Sequence, residues 1–256
     1  MTVKVETITW YSRCLDRDMT YAMYACDDAE AASRAKLCLA FPPQNGSYRD
    51  FPGFGMIEAA RPWIESGKIT VLCVDGIDGE TWSDQYGDPR ARIERQERWF
   101  CYVTDELLPG HLRGGEKAMT TGCSMGATHA GNFFFRRPDL FDGIVALSGI
   151  YNAQFFFGPY MDDLLYANSP IHFLPNMPQD HPWIDLYRRS EIILCCGQGA
   201  WEDDLLASTR ELDAILTAKD VPHWADYWGF DVNHDWPWWR RQLPYFLNHL
   251  VQADYL

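Results

Sequence analysis

Patterns that would point to metal, redox or cofactor chemistry are absent from this sequence of 256 residues. The eight cysteines are scattered and form no C-x-x-C pair, so neither a zinc site nor a dithiol redox motif is predicted. A Gly-x-Gly-x-x-Gly fingerprint and a phosphate-binding loop are missing as well. We therefore predict that the protein works without a metal ion and without a cofactor.

Basic residues and long apolar runs are also scarce. The 22 lysines and arginines stand against 36 acidic residues, and the resulting net charge of −14 would repel nucleic acid and anionic membrane surfaces. No apolar run approaches the roughly 18 residues of a membrane span, and no basic segment followed by an apolar one opens the chain. We expect a cytosolic protein with neither nucleic acid nor a membrane among its partners; whether it forms a homo-oligomer stays open.

The cysteines that are present predict buried, reduced thiols. Most of them lie in apolar runs such as Leu37-Cys38-Leu39 and Leu72-Cys73-Val74, where a thiol behaves as a small hydrophobic side chain. Free thiols also suit a reducing compartment. The eight positions are Cys14, Cys26, Cys38, Cys73, Cys101, Cys123, Cys195 and Cys196.

Alternating strand and helix patterns predict a single α/β domain over residues 1–256. Two β-like runs at 3–10 and 19–25 predict an opening antiparallel pair at the edge of the sheet. Further strands are predicted at 36–41, 69–75, 116–122, 144–149, 192–197 and 223–230, with amphipathic helices between most of them. Such alternation implies a mostly parallel sheet with helices on both faces.

Residues 151–190 interrupt this alternation. The segment carries the run Phe155-Phe156-Phe157 and several prolines, and it follows a predicted strand. We predict that it is an insertion that forms a lid or part of a substrate pocket. The alternative is that its aromatic side chains only cover the sheet.

The sequence Thr-Thr-Gly-Cys-Ser-Met-Gly-Ala at residues 120–127 predicts a nucleophile elbow, a strand, tight turn and helix with a serine at the apex. Gly122, Ser124 and Gly126 supply its Gly-x-Ser-x-Gly pattern. The serine of such a turn has a strained backbone, and the positions two before and two after it need glycine so that strand and helix can pass. The position between a predicted strand and a predicted helix makes the motif more specific than the five-residue pattern alone.

A serine hydroxyl is a weak nucleophile at neutral pH and needs a base that is itself oriented by a carboxylate. In elbow-type enzymes the order along the chain is serine, acid, histidine. Glu202 follows one predicted strand and His234 follows the last, which places both at the carboxyl edge of a parallel sheet. Asp203 is the alternative acid, because the template fixes only the strand-end loop that carries it. The non-catalytic alternative is that the run of carboxylates at a helix start only interacts with the helix dipole.

The oxyanion of a tetrahedral intermediate needs two hydrogen-bond donors. The residue after the nucleophile supplies one through its backbone N–H, which makes it Met125. The other is expected from the loop that leaves the predicted strand 36–41. Gln44 is the candidate there, with Asn45 as the alternative.

Several motifs occur in a consistent order: Gly122-Cys123-Ser124-Met125-Gly126, Arg137-Pro138-Asp139-Leu140-Phe141, Leu147-Ser148-Gly149, Gly197-Gln198-Gly199 and Asn233-His234-Asp235-Trp236-x-x-Trp239. Together they resemble the putative esterase family of α/β hydrolases, which is similar to esterase D (S-formylglutathione hydrolase), feruloyl esterases and mycolyltransferases. The resemblance implies an α/β-hydrolase fold, a Ser124-Glu202-His234 triad and ester hydrolysis. Pro42-Pro43 stands where many hydrolases carry His-Gly, so the second oxyanion donor is assigned by position only.

The predicted function is that of a serine carboxylesterase that hydrolyses a small or medium acyl ester through an acyl-enzyme intermediate. One alternative is an acyltransferase that uses the same three residues and offers an alcohol in place of water. The other is a non-catalytic binding protein on this scaffold, with aromatic side chains covering Ser124. The acyl and alcohol specificity stays open.

Overall fold

The computed structural model describes all residues from 1 to 256. Its strands are β1 (Val3–Ser12), β2 (Arg17–Cys26), β3 (Lys36–Phe41), β4 (Ile69–Val74), β5 (Ala118–Cys123), β6 (Phe141–Leu147), β7 (Glu191–Cys196) and β8 (Trp224–Tyr227). They form one sheet in the order β1-β2-β4-β3-β5-β6-β7-β8. The pairs β1–β2 and β2–β4 are antiparallel and every other pair is parallel. Both the opening antiparallel pair and the mostly parallel sheet are thereby confirmed.

The helices lie between the strands along the chain. They are α1 (Ala29–Arg34), α2 (Asp50–Gly53), α3 (Met56–Glu65), α4 (Pro89–Cys101), α5 (Met125–Arg136), α6 (Gln154–Phe157), α7 (Asp163–Ala167), α8 (Pro170–Asn176), α9 (Pro182–Tyr187), α10 (Asp203–Ala218) and α11 (Trp236–Gln252). None of them combines the length and the apolar composition that a membrane crossing requires.

Both faces of the sheet are covered by helices, as predicted. On β3, Leu39 and Phe41 belong to a core cluster that includes side chains of α4, α5 and α10, whereas Cys38 and Ala40 belong to a second cluster that includes side chains of α3 and α11. Successive residues of a strand point to opposite faces, so a strand covered on both sides is apolar at every position. This explains why the central strands read as continuous apolar runs.

Two of the eight cysteines contradict the prediction of free thiols. Cys14 and Cys101 form a disulfide, with their Cα atoms 6.1 Å apart, and both are half-buried. The bond joins the turn between β1 and β2 to the end of α4 across a separation of 87 residues, so no local spacing could reveal it. The other six cysteines are free and buried, as predicted.

Several predicted elements differ in extent. The strands predicted at 116–122 and 144–149 span Ala118–Cys123 and Phe141–Leu147. The helix between β4 and β5 is regular only as far as Cys101 and continues as a π-helix over Tyr102–Leu107 and a 3₁₀ turn over Leu108–Gly110. The last strand, expected over 223–230, ends at Tyr227. The next residue still lies beside β7, because Trp228 donates its backbone N–H to the carbonyl of Cys196 at 2.9 Å.

Residues 151–190 connect β6 to β7 and contain the four short helices α6 to α9. Arg92 of α4 ties this segment down: its guanidinium donates to the carbonyl oxygen of Phe156 at 3.1 Å and lies 4.0 Å from the centre of the Phe157 ring. The aromatic run therefore packs next to α4. Its role as a lid or pocket insertion stays a prediction.

Candidate active site

Ser124 lies between β5 and α5, in the turn that the Gly-x-Ser-x-Gly pattern predicts. Its backbone has φ 58° and ψ −125°, a conformation that residues with a side chain rarely adopt. A Cβ on Gly122 would stand 2.3 Å from the carbonyl carbon of Gly126, and one on Gly126 would stand 2.4 Å from the carbonyl oxygen of Phe41. Strand and helix thus pass so closely that both positions require glycine.

His234 lies in the loop between β8 and α11 and faces Ser124. Its Nε2 is 2.8 Å from the Oγ of Ser124, within hydrogen-bond distance. The backbone N–H of His234 donates to the carbonyl of Ala200 at 3.0 Å, and its ring meets the Trp239 ring edge to face at 4.8 Å. A backbone bond and a buried aromatic ring therefore fix the position and the tilt of the imidazole.

Glu202 immediately precedes α10 and is the one buried carboxylate among the three consecutive acidic residues 202–204. Only 1 % of the residue is exposed, whereas Asp203 and Asp204 are exposed. Its Oε2 is 3.4 Å from the Nδ1 of His234, longer than an ordinary hydrogen bond. Such contacts are often loose in unliganded hydrolases and shorten when substrate binds.

Two side chains that the sequence analysis left without a role hold this carboxylate. The Ser148 hydroxyl donates to Oε1 of Glu202 at 2.8 Å, and the Cys196 thiol donates to Oε2 at 3.3 Å. Burial, followed by the charge of Glu202, raises the pKa of the Cys196 thiol, so the thiol keeps the proton it donates. The only sequence signal for Ser148 was its place in Leu147-Ser148-Gly149 at the end of β6.

The two residues expected to bind the oxyanion, Met125 and Gln44, line the same cavity as Ser124. Met125 is the first residue of α5, where a backbone N–H has no partner within the helix. The backbone N–H of Gln44 donates no hydrogen bond within the chain, whereas that of Asn45 is bound to Oδ2 of Asp78 at 3.2 Å. Gln44 therefore has the available donor, and Asn45 does not.

Ser124 opens into a cavity of about 150 Å³. Ligand pockets commonly measure roughly 300 Å³ or more, so this one has room for a small group only. Phe155 and Phe156 line it from the 151–190 segment, and Asp204 is its one carboxylate. A larger cavity of about 480 Å³ surrounds Lys36, the first residue of β3, at the opposite edge of the sheet from the serine.

No group of three or more histidine, cysteine, aspartate or glutamate side chains is arranged to hold a metal ion. The titratable side chains around Ser124 are His234, Glu202 and Cys196, together with Asp204 at the cavity. This arrangement can deprotonate a hydroxyl and place it beside two free N–H donors, which is the requirement of acyl transfer.

The family model described as "Putative esterase" matches residues 16–250. Among solved structures, a ferulic acid esterase has a TM-score of 0.75 at 18% identity, covering 98% of this chain and 99% of its own. The fluorophosphonate-binding serine hydrolase F of Staphylococcus aureus gives 0.72 at 14% identity, with coverage of 98% and 99%. An S-formylglutathione hydrolase from Agrobacterium tumefaciens gives 0.73 at 13%, with coverage of 96% and 94%.

No curated protein sequence matches the chain. The likeness to the solved structures shows a shared α/β-hydrolase fold, in agreement with the strand order and with the helices on both faces of the sheet. The family model extends from the turn before β2 to the end of α11 and so includes every residue of the candidate site. The chain belongs to the putative esterase family of α/β hydrolases and is an ester hydrolase.

Proposed function

We propose that this protein is a serine carboxylesterase that hydrolyses a small or medium acyl ester through an acyl-enzyme intermediate. The observation that carries the proposal is the 2.8 Å contact between the Oγ of Ser124 and the Nε2 of His234 at the apex of a strained elbow. A serine placed in this way has its base within reach of its proton.

In the first half of the proposed reaction, Nε2 of His234 takes the proton of Ser124 while Oγ attacks the ester carbonyl carbon. The resulting oxyanion accepts hydrogen bonds from the backbone N–H groups of Met125 and Gln44. The carboxylate of Glu202 faces Nδ1 and stabilises the imidazolium that forms. The tetrahedral intermediate then collapses, and the alcohol leaves with the proton returned by His234.

In the second half, water takes the place of the alcohol. His234 removes a proton from the water as it attacks the acyl-Ser124 carbonyl, and the same two N–H groups bind the second oxyanion. Collapse releases the carboxylic acid and restores the Ser124 hydroxyl. The 150 Å³ cavity beside Oγ supports a small acyl group, because a longer chain would meet Phe156.

The names of the similar structures support acyl chemistry at this site. One is a ferulic acid esterase and another an S-formylglutathione hydrolase, and both names describe hydrolysis of an acyl compound. A cytosolic location, expected from the composition, is part of the same proposal; it requires that the bond between Cys14 and Cys101 be reduced in the cell, because disulfides rarely persist in the cytosol.

The test is the intact mass after exposure to a fluorophosphonate probe. Wild type and the exposed-serine control Ser66→Ala should each gain one probe mass. Ser124→Ala should gain none, because the nucleophile is gone, and His234→Ala should react far more slowly, because nothing removes the hydroxyl proton. An ester panel with and without added alcohols then separates hydrolysis from acyl transfer.

Well-folded wild type that gains no probe mass and turns over no ester would contradict the proposal. That result would favour a binding protein on this scaffold. Equal labelling of wild type and Ser124→Ala would instead show that another residue reacts with the probe.

A further inference from the structure

A second histidine–carboxylate pair is buried beside the candidate site and has no part in the proposed mechanism. Nε2 of His129, on α5, is 2.9 Å from Oδ1 of Asp78, in the 3₁₀ turn after β4. His129 is 0 % exposed and Asp78 is 2 % exposed. The rings of Phe41, Trp82 and Trp99 surround the imidazole at centroid distances of 4.8 to 6.1 Å. A charged side chain so deeply buried is costly unless its partners are fixed.

The other oxygen of Asp78 binds the loop that carries the second oxyanion donor. Oδ2 accepts the backbone N–H of Asn45 at 3.2 Å, and the Gln44 side chain reaches the same segment by donating to Oγ of Ser83 at 2.9 Å. Asn45 has a left-handed φ of 55°. The peptide bond between Gln44 and Asn45 is therefore held through its N–H by Asp78, while the N–H of Gln44 itself donates no hydrogen bond within the chain.

The surroundings of His129 select one tautomer. Its Nδ1 is buried and has no hydrogen-bond partner. A proton on Nδ1 would leave an unpaired N–H inside the core, which costs more than an unpaired acceptor beside aromatic rings. The proton consequently sits on Nε2 and is donated to Asp78, which leaves Oδ2 to accept the N–H of Asn45.

We propose that Asp78 and His129 are positioning residues for the oxyanion hole. His129 is anchored in α5, the helix that begins directly after the nucleophile, so the chain of contacts from His129 through Asp78 to Asn45 sets the distance between the elbow and Gln44. The two oxyanion donors then lie on elements joined by a buried hydrogen-bonded pair. This inference rests on the proposed function, since it assigns the pair to the same reaction.

The expected kinetic signature is a loss of kcat without a matching change in KM. The oxyanion exists only in the tetrahedral intermediates, so a displaced donor raises the barrier and leaves ground-state binding as it was. A displacement of 1 Å can lower the rate by about 100-fold. A purely structural role would change the melting temperature and the folded fraction, and would leave the turnover of each folded site unchanged.

The experiment measures kcat and KM per active site, counted by long incubation with the fluorophosphonate probe. His129→Phe and Asp78→Ala break the pair and should lower kcat about 100-fold with KM within about twofold. Asp78→Asn keeps the shape of the side chain but sets its NH₂ group against either the Nε2–H of His129 or the N–H of Asn45, so it should also lower kcat, by about 10-fold. His223→Phe is the matched control, because His223 forms the same 2.9 Å contact with Asp213 next to the start of β8, at the far edge of the sheet.

Wild-type kcat per site in His129→Phe and Asp78→Ala would overturn the inference, whatever their melting temperatures. An equal loss in His223→Phe would overturn it as well, since it would show a general effect of breaking such pairs. His129→Leu, with a smaller side chain, replaces His129→Phe if the ring prevents folding. Wild type without turnover would overturn the proposed function, and this inference with it.

Discussion

Glu202 shows how much of the candidate site is decided by single side chains. Three carboxylates follow one another at this point of the chain, and only Glu202 turns inward. Its two oxygens accept from Ser148 and Cys196, so the carboxylate is oriented before any substrate arrives. The imidazole of His234 therefore faces a carboxylate whose position is fixed before substrate binds.

Removal of the Ser148 donor should slow the reaction. In Ser148→Ala the Oε1 atom of Glu202 loses its 2.8 Å partner in a buried site, and hydrogen bonds to charged groups contribute about 1.5 to 3 kcal/mol. We expect kcat to fall about 10-fold, because the carboxylate can tilt away from His234 as the imidazolium forms. Steady-state kinetics on a short-chain ester, normalised by active-site titration, measure it.

The matched control for that variant is Ser190→Ala, which also removes a hydroxyl of a buried serine, bonded to a backbone carbonyl at 2.9 Å before β7. It should retain wild-type kcat. A Ser148→Ala enzyme with unchanged kcat would mean that Cys196 alone orients the carboxylate.

At this scale the sequence predicted the residues whose role an ordered motif defines, and it left the partners of those residues without a role. The strand-turn-helix context pointed to Ser124, and the order serine, acid, histidine pointed to Glu202 and His234. Ser148 contacts a residue 54 positions away and His129 one 51 positions away. Such pairings depend on tertiary placement, which no local pattern encodes.

Among the elements, the elbow has little spare room. Gly126 lies against the backbone of β3, where an added Cβ would stand 2.4 Å from the carbonyl oxygen of Phe41. Backbone atoms cannot rotate aside as a side chain can. The close approach of β3, β5 and α5 therefore depends on the absence of a side chain at Gly126.

Gly126→Ala should lower the free energy of unfolding by about 2 kcal/mol or more, since overpacking against fixed backbone costs about 1 to 3 kcal/mol. Gly53→Ala is the control: Gly53 lies in α2, and an added Cβ there meets nothing within 4 Å. Its unfolding free energy should change by less than about 0.5 kcal/mol. Urea unfolding followed by circular dichroism compares the two, and equal stability would contradict the packing argument.

The segment 151–190 limits the cavity through Phe156. The ring lines a space of about 150 Å³, so Phe156→Ala should admit longer acyl chains. We expect the ratio of kcat/KM for an octanoyl ester to that for an acetyl ester to rise about 10-fold, as each accommodated methylene favours binding. Tyr86→Ala, which truncates a fully exposed aromatic residue, should leave the ratio unchanged. An unchanged ratio in Phe156→Ala would assign the acyl group to another part of the surface.

The existence of the strands could be predicted because apolar runs bounded by turns are strong local signals. The extent of the elements could not. The helix that begins at Pro89 loses its regular geometry after Cys101, and β8 ends three residues before its predicted end. The disulfide between Cys14 and Cys101 lies where the helix loses its regular geometry, and no local pattern encodes that pairing.

For the whole molecule, the burial of the thiols predicts how many of them react with a thiol reagent. Burial raises the pKa of most of the free cysteines, to about 12 for Cys38, so these thiols stay protonated and unreactive at pH 8. Native protein should therefore give almost no reaction with a thiol reagent at that pH. Unfolded protein should expose six thiols without reductant and eight after reduction, because Cys14 and Cys101 are joined.

The number of reactive thiols also tests the proposed cytosolic location. Eight thiols in unreduced, unfolded protein would show that Cys14 and Cys101 are separate in the isolated chain, as expected of a protein kept in a reducing cytosol. Rapid reaction of several thiols in the native state would contradict the burial of the remaining six. Single-residue variants are not needed, since mass spectrometry after alkylation identifies each labelled position.

The contact between Ser124 and His234 joins two residues that are 110 positions apart and that follow β5 and β8. Three parallel pairings, from β5 through β6 and β7 to β8, lie between them in the sheet. Pairings so distant in sequence form late, because the chain must close long loops first. During refolding we therefore expect the helical circular dichroism signal to return first. Ester hydrolysis should return later, when β8 has paired with β7.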